Sequence, residues 1–435
     1  MLTYAETLET IYNLRGGAID LKLDRMERAL SLFDNPQQTF PSVHIAGTNG
    51  KGSTAAMLHR ILSVAGYRTA LYTSPHLVSF TERIRVGDEE ISPVEVVELA
   101  QEIWDRTAAE VPLTFFEFVT VMAFVYFSRQ RIEVAVVEVG LGGRLDATNL
   151  VRPMVSVITS ISRDHEAYLG SDLLSIAREK AGIIKPGVPV ICGGLTQAVA
   201  ALLENIANSR NTTAFFLGGD FEFFLKNGGL FDYRSKQDCF SSLSVALYGR
   251  HQRANAAVAI RVLEAVRGMF PVAETVLRQG LASVVWPGRF EIMRERPTVI
   301  LDGAHNGEGI KCLVEEIESY RAGRKVKLLF ASMEDKDSRL MLHMLEEVVD
   351  EMVLTRVKMD RCAEPRRLAS YLTGNASHRI IEDSGLAFSA LMERARPDDI
   401  VLVAGSLYLL GEVRPLLQKH SPTKGAAQMA EKSAP

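Results

Sequence analysis

The chain has 435 residues, 47% of them hydrophobic and 23% charged, and a formal net charge of −4 at pH 7. Such a length can hold two or three domains with separate cores. The near-neutral charge gives no reason to expect nucleic acid or an anionic membrane as the partner. Four widely spaced cysteines, Glu6 and Glu9 near the N-terminus and the lack of a bilayer-length apolar run together predict a cytoplasmic protein.

The first part of the chain alternates short apolar segments with amphipathic ones. β-branched and apolar residues predict buried parallel strands, and apolar residues at helical spacing between them predict helices. The predicted strands are 43–46, 69–72, 134–139, 155–159 and 188–192, and the predicted helices are 53–65, 93–110, 116–129 and 171–181. This order predicts an open α/β sheet with right-handed crossovers.

The pattern changes after residue 214. Aromatic and polar residues alternate over 215–247, which predicts antiparallel hairpins, and a helix is predicted at 252–267. A second α/β set follows, with predicted strands at 298–301, 326–330, 351–355, 378–381 and 400–404. We expect an N-terminal domain over 1–290, a smaller Rossmann-like C-terminal α/β domain over 297–420, and a disordered tail over 421–435.

Residues 44–54 read HIAGTNGKGST and join a strand end, three glycines, a lysine and the start of a helix. Glycine N–H groups, the positive end of the helix dipole and Lys51 together favour an anion. The general P-loop pattern fails at two positions, because Ile45 replaces the early glycine and Gly52 follows the lysine. A glycine-rich turn with a chance lysine is the alternative, but the order strand, loop, helix favours phosphate binding in a P-loop domain.

Polar residues also follow several predicted strands, at the edge where open α/β sheets bind ligands. Ser74 follows one strand, Glu138 lies inside another, and His165 follows a third. A carboxylate in an apolar strand is costly without a cation, so Glu138 favours Mg²⁺ held by oxygen ligands and ATP phosphates. A salt bridge from Glu138 to Arg144 or Lys180 is the alternative.

Three further residues are less informative by themselves. A single histidine such as His165 is as compatible with a structural role as with metal binding. Lys180, judged from the sequence alone, is an ordinary solvated helix residue. Asp302 and His305 follow the first strand of the second α/β set, which predicts that they face a cleft between the two domains.

Several motifs together resemble the Mur-type ATP-dependent amide ligases, and most closely the folylpolyglutamate synthase/dihydrofolate synthase family. They occur in the family's order over nearly the whole chain, and YTSPHL…ERIR and VGLGGRLDATN are specific to the folate branch. The matching stretches are 46–54 (AGTNGKGST), 72–85 (YTSPHLVSFTERIR), 137–149 (VEVGLGGRLDATN), 158–170 (ITSISRDHEAYLG), 178–184 (REKAGII), 249–257 (GRHQRANAA), 287–290 (PGRF), 301–306 (LDGAHN) and 404–412 (AGSLYLLGE). The resemblance implies a Mur-ligase-like α/β fold, and the short loop GTNGKGS is the family's own form of the P-loop.

The resemblance also implies site residues. Ser74 and Glu138 would bind one Mg²⁺, and Glu138 and His165 a second. Lys180 matches a lysine that the family carries as a carbamate, which would reverse its assignment as a solvated residue. Lys51, Glu138, His165 and Lys180 would thus form the catalytic set. The implied ATP-binding positions are Thr48, Asn49, Gly50, Lys51, Gly52, Ser53, Asn255, Arg289 and Asp302.

The remaining implied positions concern the other two substrates. L-Glutamate would be received at Asp302, His305 and Ser406. The implied pterin-binding positions are Ile19, Asp20, Leu21, Thr114, Phe115, Phe116, Asp146 and Ala147. Phe116 would stack on the pterin, although packing in the core is an equal alternative.

The implied reaction joins L-glutamate to a pterin carboxylate through an acyl phosphate formed with ATP. The expected substrates are dihydropteroate and tetrahydrofolate, with a monomeric protein and neither nucleic acid nor membrane as partner. Three alternatives remain: folylpolyglutamate synthesis only, a Mur-type ligase for a peptidoglycan precursor, and a non-catalytic nucleotide-binding module. The short stretch before residue 47 argues against the peptidoglycan ligase, because those enzymes usually add a separate domain there.

Overall fold

The computed structural model describes residues 2–14, 22–107 and 111–419. The chain divides into two units, Met1–Trp286 and Pro287–Pro435. None of the helices in the described ranges is long and apolar enough to cross a bilayer.

The first unit contains most of the secondary structure. Its strands are β1 (Ser42–Ala46), β2 (Thr69–Tyr72), β3 (Ile84–Val86), β4 (Glu89–Glu90), β5 (Val134–Glu138), β6 (Pro153–Ile158), β7 (Val190–Cys192), β8 (Ala214–Phe216), β9 (Phe221–Leu225), β10 (Phe231–Ser235) and β11 (Cys239–Leu243). Its helices are α1 (Tyr4–Asn13), α2 (Asp24–Ser31), α3 (Lys51–Val64), α4 (Pro93–Thr107), α5 (Phe115–Arg129), α6 (Glu166–Leu169), α7 (Leu173–Lys180), α8 (Gln197–Ser209), α9 (Arg250–Val266) and α10 (Glu274–Ser283). Short 3₁₀ helices include Phe80–Arg83 and Ala147–Leu150.

The main sheet of this unit has the strand order β4-β3-β2-β5-β1-β6-β7-β8 among the described residues. From β2 to β8 all neighbouring strands are parallel, whereas β3 and β4 extend the edge in antiparallel pairing. The carboxyl ends of β2, β5, β1 and β6 therefore lie side by side. This arrangement brings the polar residues after these four strands to one edge of the sheet.

Alternating side chains of the strands pack against helices on both faces of the sheet. Val43 and Ile45 on β1 belong to a core with α3, α9 and α10, whereas the core on the opposite face includes α1, α2, α4 and α5. Each fully buried large side chain contributes roughly 1.5–3 kcal/mol to folding. Helix α3 lies very close to α10, because a Cβ on Gly280 would meet the Cα of Ile61 at 2.7 Å. Helix α3, which begins at the glycine-rich loop, is thus held in place by α10.

Part of the region predicted to form hairpins belongs to the main sheet instead. Strand β8 pairs in parallel with β7 and continues the main sheet, so the prediction of hairpins from residue 215 is wrong at its start. Strands β9, β10 and β11 do form a separate antiparallel sheet. Phe231 and Tyr233 of that sheet are buried in the same core as α9.

The second unit is a smaller α/β layer. Its strands are β12 (Glu291–Glu295), β13 (Thr298–Leu301), β14 (Val326–Phe330), β15 (Glu351–Arg356), β16 (Ser377–Asp383) and β17 (Ile400–Ala404). Its helices are α11 (Gly307–Arg321), α12 (Ser338–Leu345), α13 (Pro365–Ala369), α14 (Ser384–Arg394) and α15 (Leu407–Lys419). In the described chain the strand order is β12-β13-β17-β14-β15-β16, parallel except for β12. Asp302 and Ser406 follow the adjacent strands β13 and β17.

Candidate active site

The glycine-rich loop connects β1 to α3. Gly50 precedes the helix with φ +85°, and a Cβ there would lie 2.5 Å from Oδ1 of Asn255, so both backbone conformation and space require glycine. No side chain caps α3 at Gly50. The first N–H groups of this 14-residue helix therefore lack a side-chain cap, which leaves an anion site of the kind found at helix N-termini.

The loop is fastened to the segment that follows β6. The Thr48 N–H donates to the Ser160 carbonyl oxygen over 2.8 Å, and the Asn49 N–H donates to Ser160 Oγ over 2.9 Å. Thr159 Oγ1 donates in turn to the Asn49 carbonyl oxygen at 2.7 Å, and Ser162 N–H to Thr48 Oγ1 at 3.0 Å. These bonds fix the shape of the loop in advance. They also occupy the main-chain N–H groups of Thr48 and Asn49.

Two lysines converge on this loop. Lys51 Nζ donates to the Gly47 carbonyl oxygen at 3.1 Å, and Lys180 Nζ donates to the same oxygen at 2.8 Å. The two nitrogens are thus no more than about 6 Å apart. Neither lysine forms an ion pair with a carboxylate anywhere in the described ranges. The loop therefore concentrates positive charge where an anion is expected.

The pKa of Lys180 is strongly shifted by its surroundings. It ends α7 and is only 5% exposed, so its assignment as a solvated residue is wrong. Burial, and next the nearby charge of Lys51, lower the pKa of Lys180 to about 7. A large fraction of this amine is therefore neutral near physiological pH, and a neutral amine is a nucleophile.

Ser74 and Glu138 meet at the carboxyl edge because β2 and β5 are parallel neighbours. The Ser74 N–H donates to Glu138 Oε2 at 3.2 Å, and Glu138 is 4% exposed. The alternative of a salt bridge from Glu138 to Arg144 or Lys180 is wrong, because Arg144 pairs with Glu179 and Lys180 with Gly47. A buried carboxylate beside a serine offers the oxygen donors that Mg²⁺ prefers.

His165 lies beyond β6, three residues after Ser162, whose N–H is bonded to the glycine-rich loop. Its φ of +52° is left-handed, and it precedes the short helix α6. The imidazole Nε2 is 3.9 Å from Asp164 Oδ1, and the side chain is 41% exposed. No group of three or more His, Cys, Asp and Glu side chains within 2–14, 22–107 and 111–419 is arranged to hold a metal ion.

The residues implied for pterin binding make different contacts in the structure. Thr114 caps α5: its Oγ1 and N–H both donate to Glu117 Oε2 at 2.8 Å. The ring of Phe115 lies 5.8 Å from that of Tyr12, with the Arg83 guanidinium 5.4 Å from its centre. Ile19, Asp20 and Leu21 lie outside the described residues.

Phe116 is partly buried and packs against the core on one side of the main sheet. A Cβ on Gly140 would overlap the Phe116 ring, and the Tyr72 ring centre is 6.2 Å away. Ring contact with a glycine backbone and a buried tyrosine accords with the packing alternative.

Asp146 and Ala147 begin the turn after the GLGGRL segment. Asp146 is 4% exposed, and its carboxylate accepts N–H groups from Leu141 at 2.9 Å and Thr148 at 3.0 Å. Burial raises the pKa of Asp146, although these hydrogen bonds oppose the shift. Asp146 is thus a fixed, buried acceptor.

In the second unit, Asp302 organises the turn after β13. Its two carboxylate oxygens accept the Phe290 N–H at 2.8 Å and the Ala304 N–H at 2.9 Å. Burial raises the pKa of Asp302, and the charge of Arg289 opposes this. His305 Nδ1 is 2.7 Å from the Gly303 carbonyl oxygen.

Ser406 and Arg289 complete the residues expected on this unit. Ser406 Oγ accepts the Tyr408 N–H at 3.2 Å, at the start of α15. Arg289 Nη1 donates to the Gly288 carbonyl oxygen at 3.0 Å, and a Cβ on Gly303 would collide with this guanidinium. Arg289, Asp302, His305 and Ser406 are therefore all near one stretch of the carboxyl edge of this sheet.

Trp286 is a neighbour of the glycine-rich loop that no sequence motif indicates. Its indole lies against the phosphate-loop helix, because a Cβ on Gly52 would be 3.0 Å from the ring. The signal available was its position directly before the PGRF motif, and no helical or strand periodicity could have shown the contact.

Comparison with known proteins places these features in a class. Residues 45–263 match the Mur ligase middle domain, and residues 288–407 match the Mur ligase glutamate ligase domain. The fold and the order of the two domains are thus those of a Mur-type ligase.

Relatives within that class are closely similar over nearly the full length. A dihydrofolate synthase/folylpolyglutamate synthase of Bacillus subtilis is 34% identical over 411 residues, which cover 91% of this chain and 95% of the relative. The structure of Escherichia coli FolC in complex with DHPP and ADP has a TM-score of 0.89 at 32% identity, covering 96% of this chain and 98% of that one. A bifunctional folylpolyglutamate synthase/dihydrofolate synthase with Mn, AMPPNP and L-glutamate bound has a TM-score of 0.86 at 33% identity, covering 96% and 98%. The chain belongs to the dihydrofolate synthase/folylpolyglutamate synthase family of Mur-type ligases.

Proposed function

We propose that this chain is an ATP-dependent ligase that joins the amine of L-glutamate to a pterin-linked carboxylate. It would act on dihydropteroate to give dihydrofolate, and on tetrahydrofolate to lengthen its glutamate chain. The observation that carries the proposal is the convergence of Lys51 and Lys180 on the Gly47 carbonyl oxygen in a member of this family. The buried Glu138 ends β5, the strand paired with β1, which leads into the same loop. The N-terminal domain (1–290) would bind ATP, and the C-terminal domain (297–420) would receive glutamate.

The phosphates of ATP would bind at the start of α3. Lys51 would move its bonds from the carbonyl oxygens of Gly47 and Thr48 to phosphate oxygens, which is favourable because charge-assisted bonds are stronger. The ATP-binding set is Thr48, Asn49, Gly50, Lys51, Gly52, Ser53, Asn255, Arg289 and Asp302. Because the Thr48 and Asn49 N–H groups are already bonded to Ser160, their part is to shape the loop.

A divalent metal fits the residues present. The Ser74 hydroxyl and the Glu138 carboxylate would hold one Mg²⁺, and Glu138 with His165 a second; phosphate oxygens and water would complete each coordination shell. The bound metal supplies positive charge to the phosphates during transfer. Glu138 suits this task since it is buried beside Ser74 and is not paired with Arg144 or Lys180.

Lys180 would act as a carbamate. Its neutral amine adds to CO₂ and loses a proton, which converts a buried cation into a buried anion with two oxygens. The depressed pKa of Lys180, about 7, supplies the neutral amine that this addition needs. The change of sign would also relieve the repulsion between Lys180 and Lys51.

The reaction would proceed in two steps. The substrate carboxylate attacks the γ-phosphorus of ATP, ADP leaves, and an acyl phosphate forms. The amine of glutamate then attacks the acyl carbon, the bond from that carbon to the phosphate oxygen breaks, and the nitrogen loses a proton, which gives the amide and inorganic phosphate. The protein mainly positions the reactants and neutralises charge. Arg289 would offset charge on the transferred phosphate, and Asp302, His305 and Ser406 would receive glutamate.

Pterin binding would use Asp146 and Ala147 with Thr114, Phe115 and Phe116, and the stretch containing Ile19, Asp20 and Leu21. A carboxylate such as Asp146 accepts hydrogen bonds from N–H donors of the pterin ring. Phe115 offers an aromatic face, whereas Phe116 is packed on Gly140.

The test is ATP-dependent phosphate release by the purified chain, with Glu138→Gln as the inactive control. We expect release only when both glutamate and a pterin substrate are present, with dihydropteroate and tetrahydrofolate each giving product. Equal ATP turnover without either substrate would contradict a ligase. Product from tetrahydrofolate but not from dihydropteroate would restrict the activity to folylpolyglutamate synthesis.

A further inference from the structure

A histidine lies in the middle of the central strand. His44 is fully buried in β1, flanked in sequence by Val43 and Ile45 and paired across the sheet with Val137 on β5 and Ser156 on β6. Apolar residues are the usual occupants of such a position in a buried parallel strand. A buried imidazole there calls for a hydrogen-bond partner.

That partner is Thr148, in the turn that Asp146 begins. His44 Nε2 is 2.8 Å from Thr148 Oγ1, and Thr148 Oγ1 is in turn bonded to Asp146 Oδ1. A hydroxyl has one proton. The Asp146 carboxylate accepts a main-chain N–H on each oxygen, which favours its ionised form, and an ionised carboxylate can only accept. Thr148 therefore donates to Asp146 and accepts from His44, so that the proton of the imidazole is on Nε2.

The surroundings of the other imidazole nitrogen of His44, Nδ1, differ from those of Nε2. His44 Nδ1 is buried and has no hydrogen-bond partner within the part of the chain that the structure describes. Leaving such an acceptor unpaired costs about 1–3 kcal/mol. Burial and the charge of Lys185 lower the pKa of His44 to about 3, so the imidazole stays neutral. Stability alone does not account for a histidine here.

We infer that His44 and Thr148 are positioning residues for the pterin subsite, which fix the Asp146 carboxylate by a chain of hydrogen bonds from the central strand. This inference rests on the proposed function. Asp146 Oδ1 is held by the N–H and hydroxyl of Thr148, and Oδ2 by the Leu141 N–H, so the carboxylate cannot rotate without breaking these bonds. The carboxylate thus keeps one orientation for the N–H donors of the pterin.

Two pairs of variants separate this role from simple packing. In His44→Gln the side-chain amide can place an N–H near the original Nε2, whereas the shorter His44→Asn cannot reach Thr148. Thr148→Ser keeps the hydroxyl, whereas Thr148→Val keeps the shape and removes it. The measurements are KM for dihydropteroate, KM for ATP, kcat and the thermal unfolding temperature of each variant.

We expect His44→Asn and Thr148→Val each to raise KM for dihydropteroate about tenfold, as loss of one bond to a charged group would do. KM for ATP should change less than twofold, and His44→Gln and Thr148→Ser should stay within threefold of the unmodified chain. The double variant His44→Asn/Thr148→Val should be no worse than Thr148→Val, because both changes break the same chain of bonds. Nitrogen NMR of ¹⁵N-histidine-labelled protein should show the Nε2–H tautomer for His44.

The inference is overturned if Thr148→Val leaves KM for dihydropteroate unchanged, if both KM values rise equally, or if His44 is the Nδ1–H tautomer. Should His44→Asn fail to fold, the Thr148 pair alone decides. An unmodified chain with no pterin-dependent turnover would overturn the proposed function and this inference together. An active chain with unaffected variants would overturn the inference only.

Discussion

The two parallel sheets present different chemistry at their carboxyl edges. In the first unit, Lys51 and Lys180 share the Gly47 carbonyl oxygen, and neither is paired with a carboxylate within the described residues. In the second unit, Asp302 accepts two main-chain N–H groups, so its charge is already compensated locally. The first edge thus carries Lys51 with no carboxylate partner among the described residues, whereas the second forms a self-contained turn. We expect loss of a lysine at the first edge to abolish turnover, and loss of the Asp302 carboxylate at the second edge to change the affinity for glutamate.

The largest effect is expected for Lys51→Ala. Removing a cation aimed at the transferred phosphate should lower kcat by about 10³-fold, the upper range for loss of one preorganised electrostatic group. Lys226→Ala is a suitable control, because this lysine forms an ion pair with Asp232 at the surface. Steady-state phosphate release measures both. A loss below tenfold for Lys51→Ala would show that the two edges do not differ as described.

The next effect concerns pH and bicarbonate. Since the pKa of Lys180 is lowered to about 7, the amine loses its proton as pH rises through that value, and only the neutral amine adds CO₂. Activity in limiting bicarbonate should therefore rise between pH 6 and 8, about tenfold per unit below pH 7. Saturating bicarbonate should reduce this dependence.

The matching variant is Lys180→Ala, which should be inactive, unresponsive to bicarbonate and still folded by circular dichroism. A ¹³C-carbamate signal should appear in labelled bicarbonate with the unmodified chain only. Activity that does not depend on bicarbonate, together with the absence of a carbamate signal, would contradict the proposed carbamate on Lys180.

An intermediate effect is expected for Gly50→Ala. The added Cβ would meet Asn255 at 2.5 Å and impose a left-handed φ of +85° on alanine. We expect KM for ATP to rise roughly tenfold. Gly66→Ala is the matched control, because its φ is +92° but no atom lies within 4 Å of the added Cβ. If both variants raised KM for ATP equally, backbone strain alone would account for the loss of ATP affinity.

The smallest effect is expected in the second unit. Asp302→Asn replaces one carboxylate oxygen by an NH₂ group, which cannot accept the main-chain N–H bonded there, and this should cost about 1–3 kcal/mol of stability. KM for glutamate should rise a few-fold, with kcat changed little. Glutamate titrations and thermal unfolding measure the two effects. A kcat loss as large as that of Lys51→Ala would place Asp302 in the chemistry itself.

Sequence periodicity was enough to predict both parallel sheets. Alternating apolar strands and helices predicted the core strands β1, β2, β5 and β6, and placed Ser74 and Glu138 at the ligand-binding edge of the sheet. That β2 and β5 are neighbours was not predicted from the sequence pattern, and a shared site for the two residues was implied only by the family resemblance. Strand β8 was misassigned, because aromatic alternation does not distinguish an edge strand of the main sheet from a hairpin. Strands β3 and β4 are too short to leave a periodic signal.

The electrostatics of the site could not be predicted from spacing. Lys180 has the local sequence of a solvated helix residue, and only the close approach of α7 to the phosphate loop buries it beside Lys51. His44 is different, since a polar residue inside an apolar strand is a signal of the same kind that identified Glu138. Its bond to Thr148 joins residues 104 positions apart, which no local pattern specifies.

The most direct test of the central claim is oxygen transfer from the pterin substrate. Dihydropteroate with an ¹⁸O-labelled carboxylate would be converted with ATP and glutamate, and the inorganic phosphate analysed by mass spectrometry. An acyl phosphate leaves one carboxylate oxygen on the departing phosphate, so we predict one ¹⁸O atom in phosphate for each amide formed. Amide formed without ¹⁸O in the phosphate would contradict the acyl phosphate route and the account built on it.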